Sequence, residues 1–409
     1  MSWHPPVPAV VPDAEGTNWQ VIRAWPESTA GDYTMEVAAP ARAGVRAAHL
    51  RDGALELLPD GGDRFLPALA QAAPLGEVVV HRAHKRAVVK AGDRYLKIFR
   101  PRQSAEAAAR HALMNALVGA EDFLTPEVVS CSLGCLILAR LPGTSLFELG
   151  QDPAASDVVF ERAWRKWSLG WVRQQSLARV PAYRPALEAL APRTAAVELE
   201  NLQRLVDLWL LHAQDIPAAR AQRNAVRAAA GQIAQQLLGT EPGPLVWSHG
   251  DLHDKQIFAQ DPDAPLGLLD FDEAGRAEAA ADLANLAVHL ELRLGQGRLT
   301  AERYRIARRE VLAAAGELRV TPARLDAYAH ATRLRLGCLY SFRPRWVDLA
   351  EDFHSRPAEE PLYAANTSTS VVNTPNRLER PPPLFSPAPR WQNRDFRTGP
   401  RPRPPSADG

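Results

Sequence analysis

Apolar and polar positions change period several times along this chain, and each change marks a different kind of structure. Between residues 19 and 58 the apolar positions fall in short runs, WQVIRAW, YTMEV, VRAAHL and ALELL, cut by PESTAGD, AAPARAG and RDG. Short runs between turn-forming clusters predict β-strands. Residues 65–73 suit a short helix, and three further strands are predicted over 77–80, 86–90 and 95–99, the last two joined by the tight turn Ala91-Gly92-Asp93-Arg94. Pro101 stops the third, and Ser104 has the side chain to cap a helix running to about residue 118. LGCLILA gives another strand, and residues 156–238 are helical in pattern, with Trp164, Trp167 and Trp171 spaced as a core stripe. The period then breaks. Residues 245–247 form an apolar run between Pro244 and Gly250, and Ile257 and Phe258 are separated from the run 266–269 by the turn-rich AQDPDAP. These predict a short buried strand and then a hairpin, after which helices resume through residue 349. From Arg356 the 54 remaining residues hold twelve of the chain's 35 prolines and no apolar period. Such a segment cannot bury enough surface to offset its ordering entropy, which predicts a disordered tail, with PPPLFSPAPRW as a candidate motif for a protein partner.

Composition narrows the function classes. With 409 residues, 46% apolar and 23% charged, the chain has room for two lobes and a sizeable core. A formal net charge of +1 gives no general attraction to nucleic acid or to an anionic membrane. Cys131, Cys135 and Cys338 are too few and wrongly spaced for a zinc site or a disulfide framework, which fits a reducing compartment. The opening MSWHPPVPAVVPDAEG has neither a basic region nor an apolar core of the leader type, and no run approaches the length of a membrane span. The expectation is a cytoplasmic protein. One local asymmetry stands out: residues 291–350 carry twelve Arg against six acids, read as mostly solvated helix face.

The chemistry concentrates in LVWSHGDLHDKQIFAQDPDAPLGLLDFD, residues 245–272. A strand end delivers Asp251 and the far end of the hairpin delivers Asp270. With Gln256 these offer a set of oxygen donors suited to a hard, octahedral Mg²⁺ that keeps some waters and binds phosphate. His249 and His253 are four apart, the spacing of a helical zinc pair, but Gly250 argues against a helix there. GDLH is also found in metallophosphoesterases, yet the one Asp-x-His outside it, Asp352-Phe353-His354, lies on its wrong side. His249 and His253 are therefore assigned to supporting the loop. Asp282 precedes the apolar stripe Leu283, Leu286, Ala287 and Leu290, where a helix N-cap accounts for it.

HGDLHDKQ, then LLDFD, then ADLANL twelve residues past Asp270, resembles the aminoglycoside phosphotransferase and choline kinase-like family, over roughly residues 77–350. Its pattern is H-x-D-x-H-x-x-N, a metal-binding Asp, and D-[LI]-A; Gln256 departs from the usual Asn and is similar to the maltokinase branch. The resemblance implies an α+β, protein-kinase-like fold with a small β-rich N-lobe and a large, mainly helical C-lobe. To this the chain adds an N-terminal β-rich segment and the tail. The expected divisions are 1–75, 76–141, 142–355 and 356–409, although residues 1–75 are also readable as early strands of the small lobe. By the resemblance Asp251 orients or deprotonates the acceptor hydroxyl, Asp270 binds Mg²⁺ with Gln256, and Lys97 grips the phosphates of ATP or GTP. Ala139 to Leu141 is similar to the hinge that pairs with the adenine ring.

Two features of the small lobe need their own reading. The connection HRAHKR lacks glycine, so phosphate contact there must come from basic side chains or backbone, or the turn is simply solvated. Glu106 shares a helix face with Ala109, Leu113 and Leu117, where a carboxylate wants a cation; Lys97 is the candidate partner, and a first-turn acid favoured by the helix dipole is the alternative. The expected function is phosphoryl transfer from a nucleotide to a hydroxyl of a small molecule. A non-catalytic nucleotide-binding module is the rival.

Overall fold

The computed structural model describes residues 3–40, 42–355 and 362. The first strands form an antiparallel meander: β1 (Val10–Pro12), β2 (Asn18–Pro26), β3 (Tyr33–Ala38), β4 (Arg46–Arg51) and β5 (Ala54–Leu57). Period-two alternation explains β3, whose Tyr33, Met35 and Val37 all face the core and are at most 1% exposed. This sheet is separate from the next. After the short helix α1 (Leu69–Ala72) come β6 (Glu77–Arg82), β7 (Arg86–Ala91) and β8 (Arg94–Phe99), then helix α2 (Gln103–Leu117). A two-residue strand β9 (Phe123–Leu124) leads to β10 (Val128–Ser132) and β11 (Cys135–Ala139), and the second sheet runs in the order β10-β11-β8-β7-β6. Ser104 does not cap α2. It is buried, donates to the Ser132 carbonyl at 2.9 Å and accepts the Gly134 N–H at 2.9 Å, so it ties the helix to the β10–β11 turn.

The first sheet is hydrogen-bonded both to the second sheet and to the helical part of the chain. Toward the second sheet, Val45 N–H donates to the Val78 carbonyl at 2.8 Å and His81 N–H to Glu36 Oε2 at 2.8 Å. Toward the helices, Ala24 N–H donates to the Phe342 carbonyl at 3.1 Å and Gly31 N–H to His212 Nδ1 at 3.2 Å.

The helical part contains β12 (Thr144–Ser145), α3 (Leu146–Gln151), α4 (Asp157–Ser176), α5 (Arg184–Glu188), α6 (Ala195–Ala213) and α7 (Arg220–Gly239). Then come β13 (Leu245–Ser248), β14 (Ile257–Ala259), β15 (Leu266–Leu268) and β16 (Gly275–Glu278), followed by α8 (Ala279–Gly295), α9 (Ala301–Glu317), α10 (Pro322–Tyr340) and α11 (Val347–Ser355). The hairpin expected after residue 257 is present, with Ile257 opposite Leu268; the strand before it, β13, pairs instead with β16. Trp164, Trp167 and Trp171 are wholly buried, and the chain of rings continues from Trp171 to Trp247 on β13 at 5.0 Å. Trp247 Nε1 reaches Met114 Sδ at 3.2 Å, and the Gln175 amide donates to the Trp247 carbonyl at 2.9 Å. Large aromatic surfaces thereby fix the strand that enters the motif from both α4 and α2.

The Arg-rich helices are a solvated face only in part: Arg305, Arg309, Arg319 and Arg345 are exposed, but five other arginines are not. Arg293, Arg303, Arg308, Arg324 and Arg333 are all buried, and four of them, Arg293, Arg303, Arg324 and Arg333, pair with Asp254, Asp157, Glu278 and Glu291 in turn. A buried charge is costly without a partner, so these four arginines pack their helices through ion pairs, while Arg308 is buried with its Nε unbonded among the described residues. The tail expectation for residues 356–409 falls outside the described residues except at Leu362, which is buried and donates its N–H to Asp326 Oδ1 at 2.6 Å. No helix among the described residues is long and apolar enough to cross a membrane.

Candidate active site

The loop after β13 turns at Gly250, where φ is +81° and an added Cβ would stand 2.0 Å from the Glu273 carbonyl oxygen, so only glycine fits. Asp282 holds this turn. Its carboxylate accepts the His249 N–H at 2.7 Å and the Gly250 N–H at 3.0 Å. It lies in the first turn of α8, whose cap position is Glu278, so the N-cap reading of Asp282 gives way to a loop-holding one. Burial pushes its pKa up, with His249 and the loop N–H groups opposing. His249 is fully buried and its Nε2–H donates to the Leu269 carbonyl at 3.0 Å, which leaves Nδ1 to accept the Asp251 N–H at 3.4 Å. One imidazole thus stitches the Asp251 loop to the residue before Asp270.

Asp251 emerges from this braced turn with 42% of its side chain open to solvent. Desolvation in the cleft raises its pKa above the usual carboxylate value, with Arg335 and His249 pulling the other way. His253 lies beside it, Nε2 3.8 Å from Asp251 Oδ2, and its ring packs against that of His289, centroids 4.8 Å apart and planes tilted by 40°. Burial and then the Arg293 charge hold His253 well below its ordinary pKa, so it is neutral. Asp254 is tied by both its oxygens to Arg293 Nε at 3.0 and 3.2 Å, an anchor that fixes the loop between the two histidines and the hairpin.

Across the hairpin, Gln256 is buried, with its side-chain nitrogen 3.4 Å from His253 Nε2 and its main-chain carbonyl accepting the Leu269 N–H at 3.1 Å. Asp270 follows in a left-handed conformation, φ +70°, a strained state for a residue with a side chain. Lys97 Nζ, from the middle of β8, reaches Asp270 Oδ1 at 2.6 Å and Asp272 Oδ1 at 2.8 Å. Burial alone would raise the Asp270 pKa; the Lys97 and Arg86 charges overcome it and hold the carboxyl well below the usual range. Ionised oxygen donors of this kind suit a hard divalent cation.

Glu106 is not part of this group. It is exposed in the first turn of α2, and among the described residues it joins no ion pair, so the Lys97–Glu106 partnership is corrected to Lys97 with Asp270 and Asp272. At the hinge the Ala139 N–H is engaged by the Glu127 carbonyl at 2.9 Å, and Leu141 is packed under Gly267. Three residues escape a reading of the sequence alone. Asp272 was signalled only by repeating Asp270 two places on; Arg86, at the end of the basic HRAHKR turn, pairs with Asp272 at 3.1 Å. Arg335 bonds the Asn285 side-chain oxygen, while the Asn285 amide donates to the Leu252 carbonyl at 2.9 Å, next to Asp251. Nothing in its sequence context separated Arg335 from its neighbours.

Two lobes, with a lysine from a five-stranded sheet meeting an aspartate from a hairpin, define a protein-kinase-like phosphotransferase. The model of the phosphotransferase enzyme family matches residues 81–328, and the chain belongs to that family, whose members transfer phosphoryl groups to an alcohol group of a small molecule. No curated protein sequence matches it. Among solved structures it is similar to an aminoglycoside phosphotransferase from Streptomyces rimosus, at 20% identity over 65% of this chain and 95% of that one, TM-score 0.44. A glucosamine kinase with glucosamine, ADP and phosphate bound is 17% identical over 85% of this chain and 94% of that one, TM-score 0.42. An amicoumacin kinase with AMP-PNP and Ca²⁺ is 13% identical over 72% and 93%, TM-score 0.50.

Proposed function

We propose that the chain moves the γ-phosphoryl group of ATP or GTP to a hydroxyl of a sugar, polyol or related metabolite. The observation that carries this reading is the Asp251 turn: a carboxylate of raised pKa, braced by Asp282 and joined through His249 to the strand end that presents Asp270. Asp251 is the group that accepts or orients the proton of the attacking hydroxyl, and a raised pKa makes it a stronger base toward that proton. Lys97 grips the phosphates, with Asp272 and Arg86 keeping its ammonium in register, and the Leu141 end of the hinge pairs with the adenine ring. Asp270, with Gln256 beside it, would hold Mg²⁺, which when bound neutralises the charge that develops on the transferring phosphoryl group.

The charge around Asp251 bears on the acceptor. Arg335 is the strongest opposing charge felt by Asp251, with Asp270 and Glu273 acting in the other sense. A polycationic acceptor would have to leave water against Arg335, so a neutral or anionic acceptor is favoured over an aminoglycoside. The test is Mg²⁺-dependent turnover against maltose-type, polyol and kanamycin-type acceptors, with Asp251→Asn alongside. Turnover of a neutral or anionic acceptor, lost by orders of magnitude in Asp251→Asn while nucleotide binding persists, is expected. Efficient phosphorylation of kanamycin with none of the sugars overturns the acceptor assignment, and equal loss of binding and turnover overturns the role of Asp251.

A further inference from the structure

Away from the Asp251 cleft, two histidines face one another at the edge of a cavity of about 420 Å³ lined by residues of β4, β5 and the loops carrying Asp63 and His84. His49 Nε2 and His84 Nε2 are 3.3 Å apart. The opposite nitrogen of each ring stands against a carboxylate, His49 Nδ1 on Glu27 Oε1 at 2.9 Å and His84 Nδ1 on Asp63 Oδ1 at 2.9 Å. Both carboxylates stand as acceptors: Glu27 Oε1 takes the Thr34 hydroxyl at 2.7 Å and Oε2 faces Arg51 at 3.6 Å, while Asp63 Oδ1 takes the Phe65 N–H at 2.9 Å and Oδ2 the His84 N–H at 2.7 Å. Against an accepting carboxylate, each Nδ1 carries a proton of its ring. Arg51 Nη2 also approaches His49 Nδ1, at 3.4 Å, but it lies over the carboxylates of Glu27 and Glu56, at 3.6 and 3.7 Å, on the side away from Nε2.

With a proton on each Nδ1, the two Nε2 atoms face each other, an arrangement that either a further proton or a metal ion between them resolves. The spacing suits a metal ion. Two imidazole nitrogens bound at 2.0–2.1 Å to a tetrahedral zinc lie roughly 3.4 Å apart, and the observed separation is 3.3 Å. A carboxylate on the far nitrogen is also the usual support of a metal-bound histidine. We propose that His49 Nε2 and His84 Nε2 bind a divalent transition-metal ion of the zinc class, completed by water and by Glu56, which is paired across from His49 on β5 and lines the same cavity. Among the described residues no three such side chains already surround one point, so the histidines are the preset pair and Glu56, 70% exposed, closes on the ion. Glu27, Glu56 and Asp63 offset Arg51 and Arg64 around it. Imidazole with oxygen donors suits zinc, nickel or copper over magnesium or calcium, which keeps this site chemically distinct from Asp270. His84 is the tip of the β6–β7 loop, at φ +61°, and two residues on Arg86 reaches Asp272. The ion thus fastens to the first sheet the loop whose arginine enters the active site.

The experiment is calorimetric titration of chelator-stripped full-length protein with ZnCl₂ in excess Mg²⁺, repeated on His49→Asn, His84→Asn and Asp270→Asn. One zinc per chain is expected in the wild type and in Asp270→Asn, with affinity lower by roughly tenfold or more in each histidine variant. Co²⁺ should give the intense visible absorption of a tetrahedral site in the wild type and in Asp270→Asn, and in neither histidine variant. Equal zinc affinity in the histidine variants, or no binding in the wild type, overturns the proposal and leaves a proton shared between the rings. Should a variant fail to fold, wild-type protein treated with diethyl pyrocarbonate decides: zinc protecting His49 and His84 from modification supports the site, and unchanged modification overturns it.

Discussion

Glu278 closes β16 beneath α10, and replacing it tests how the catalytic turn is held from below. Its carboxylate accepts Arg324 Nε at 2.7 Å, Arg324 Nη2, the Tyr328 hydroxyl at 2.9 Å and the Gly243 N–H at 2.7 Å. Arg324 Nη1 continues to the Leu237 carbonyl at 2.5 Å and to Thr240 Oγ1 at 2.8 Å, so one pair joins α10, the end of α7 and the β13–β16 ladder. Each side chain is 4% exposed. Glu278→Ala therefore leaves a guanidinium buried without its counter-charge, a change that costs ~3–5 kcal/mol, out of a total of roughly 5–15 kcal/mol for a domain. Urea denaturation followed by circular dichroism should show the midpoint falling by roughly 1 M. The double variant Glu278→Leu with Arg324→Met should recover most of the loss, because no charge is then left buried. The pH dependence has a definite sign. Burial by itself would raise the Glu278 pKa, but Arg324, the Gly243 N–H and Tyr328 bring it below the ordinary 4.5, so its stabilisation is complete above that pH and is lost as pH falls toward the lowered value. The gap between wild type and Glu278→Ala should accordingly narrow below pH 4.5. A Glu278→Ala loss under about 1 kcal/mol at neutral pH, or a double variant no more stable than the single one, refutes this reasoning.

Gly250→Ala should lower kcat by roughly 100-fold, because relieving a 2.0 Å contact with the Glu273 carbonyl moves the Asp251 turn by about an ångström; kinetics at wild-type level would show that the turn tolerates the shift. The acid limb of kcat should lie above the ordinary aspartate value of 3.8 and activity should fall as pH drops through it, with Arg335→Ala moving the limb higher still, since Arg335 opposes the rise. A pH–rate profile unmoved by Arg335→Ala would separate that residue from Asp251. Gln256→Ala should raise the Mg²⁺ concentration for half-maximal rate and Gln256→Asn should fall between the two, whereas an unchanged Mg²⁺ dependence in the alanine variant removes Gln256 from the metal.

Residues that are neighbours in sequence were the ones read correctly. The hairpin from Ile257 to Leu268, the strands from 77 to 99 and the tryptophan stripe of α4 follow from apolar period and turn chemistry, which act over a few residues. So does the glycine of the catalytic turn. The motif HGDLHDKQ with LLDFD, met in order along the chain, was enough to identify the family and hence the two-lobed α+β fold.

Partnerships across the chain were not legible, because a charge or hydroxyl states that it needs a partner without stating which one. Lys97 was matched to the nearest acid on an apolar stripe, Glu106, yet packing of the second sheet against the hairpin brings it to Asp270 and Asp272, over 170 residues away. Ser104 had the chemistry of a cap and became a tie between a helix and a turn; Asp282 likewise reaches across to His249 and Gly250. Arg303, Arg324 and Arg333 read as solvated until their acids, Asp157, Glu278 and Glu291, were found on other elements. Nor did anything in the sequence join His49 to His84, which share a cavity only because β4 and the β6–β7 loop are packed side by side. Local period and turn propensity therefore settled the elements and the motif, while the pairing of polar groups was left to the tertiary structure, since it depends on which surfaces are removed from water together.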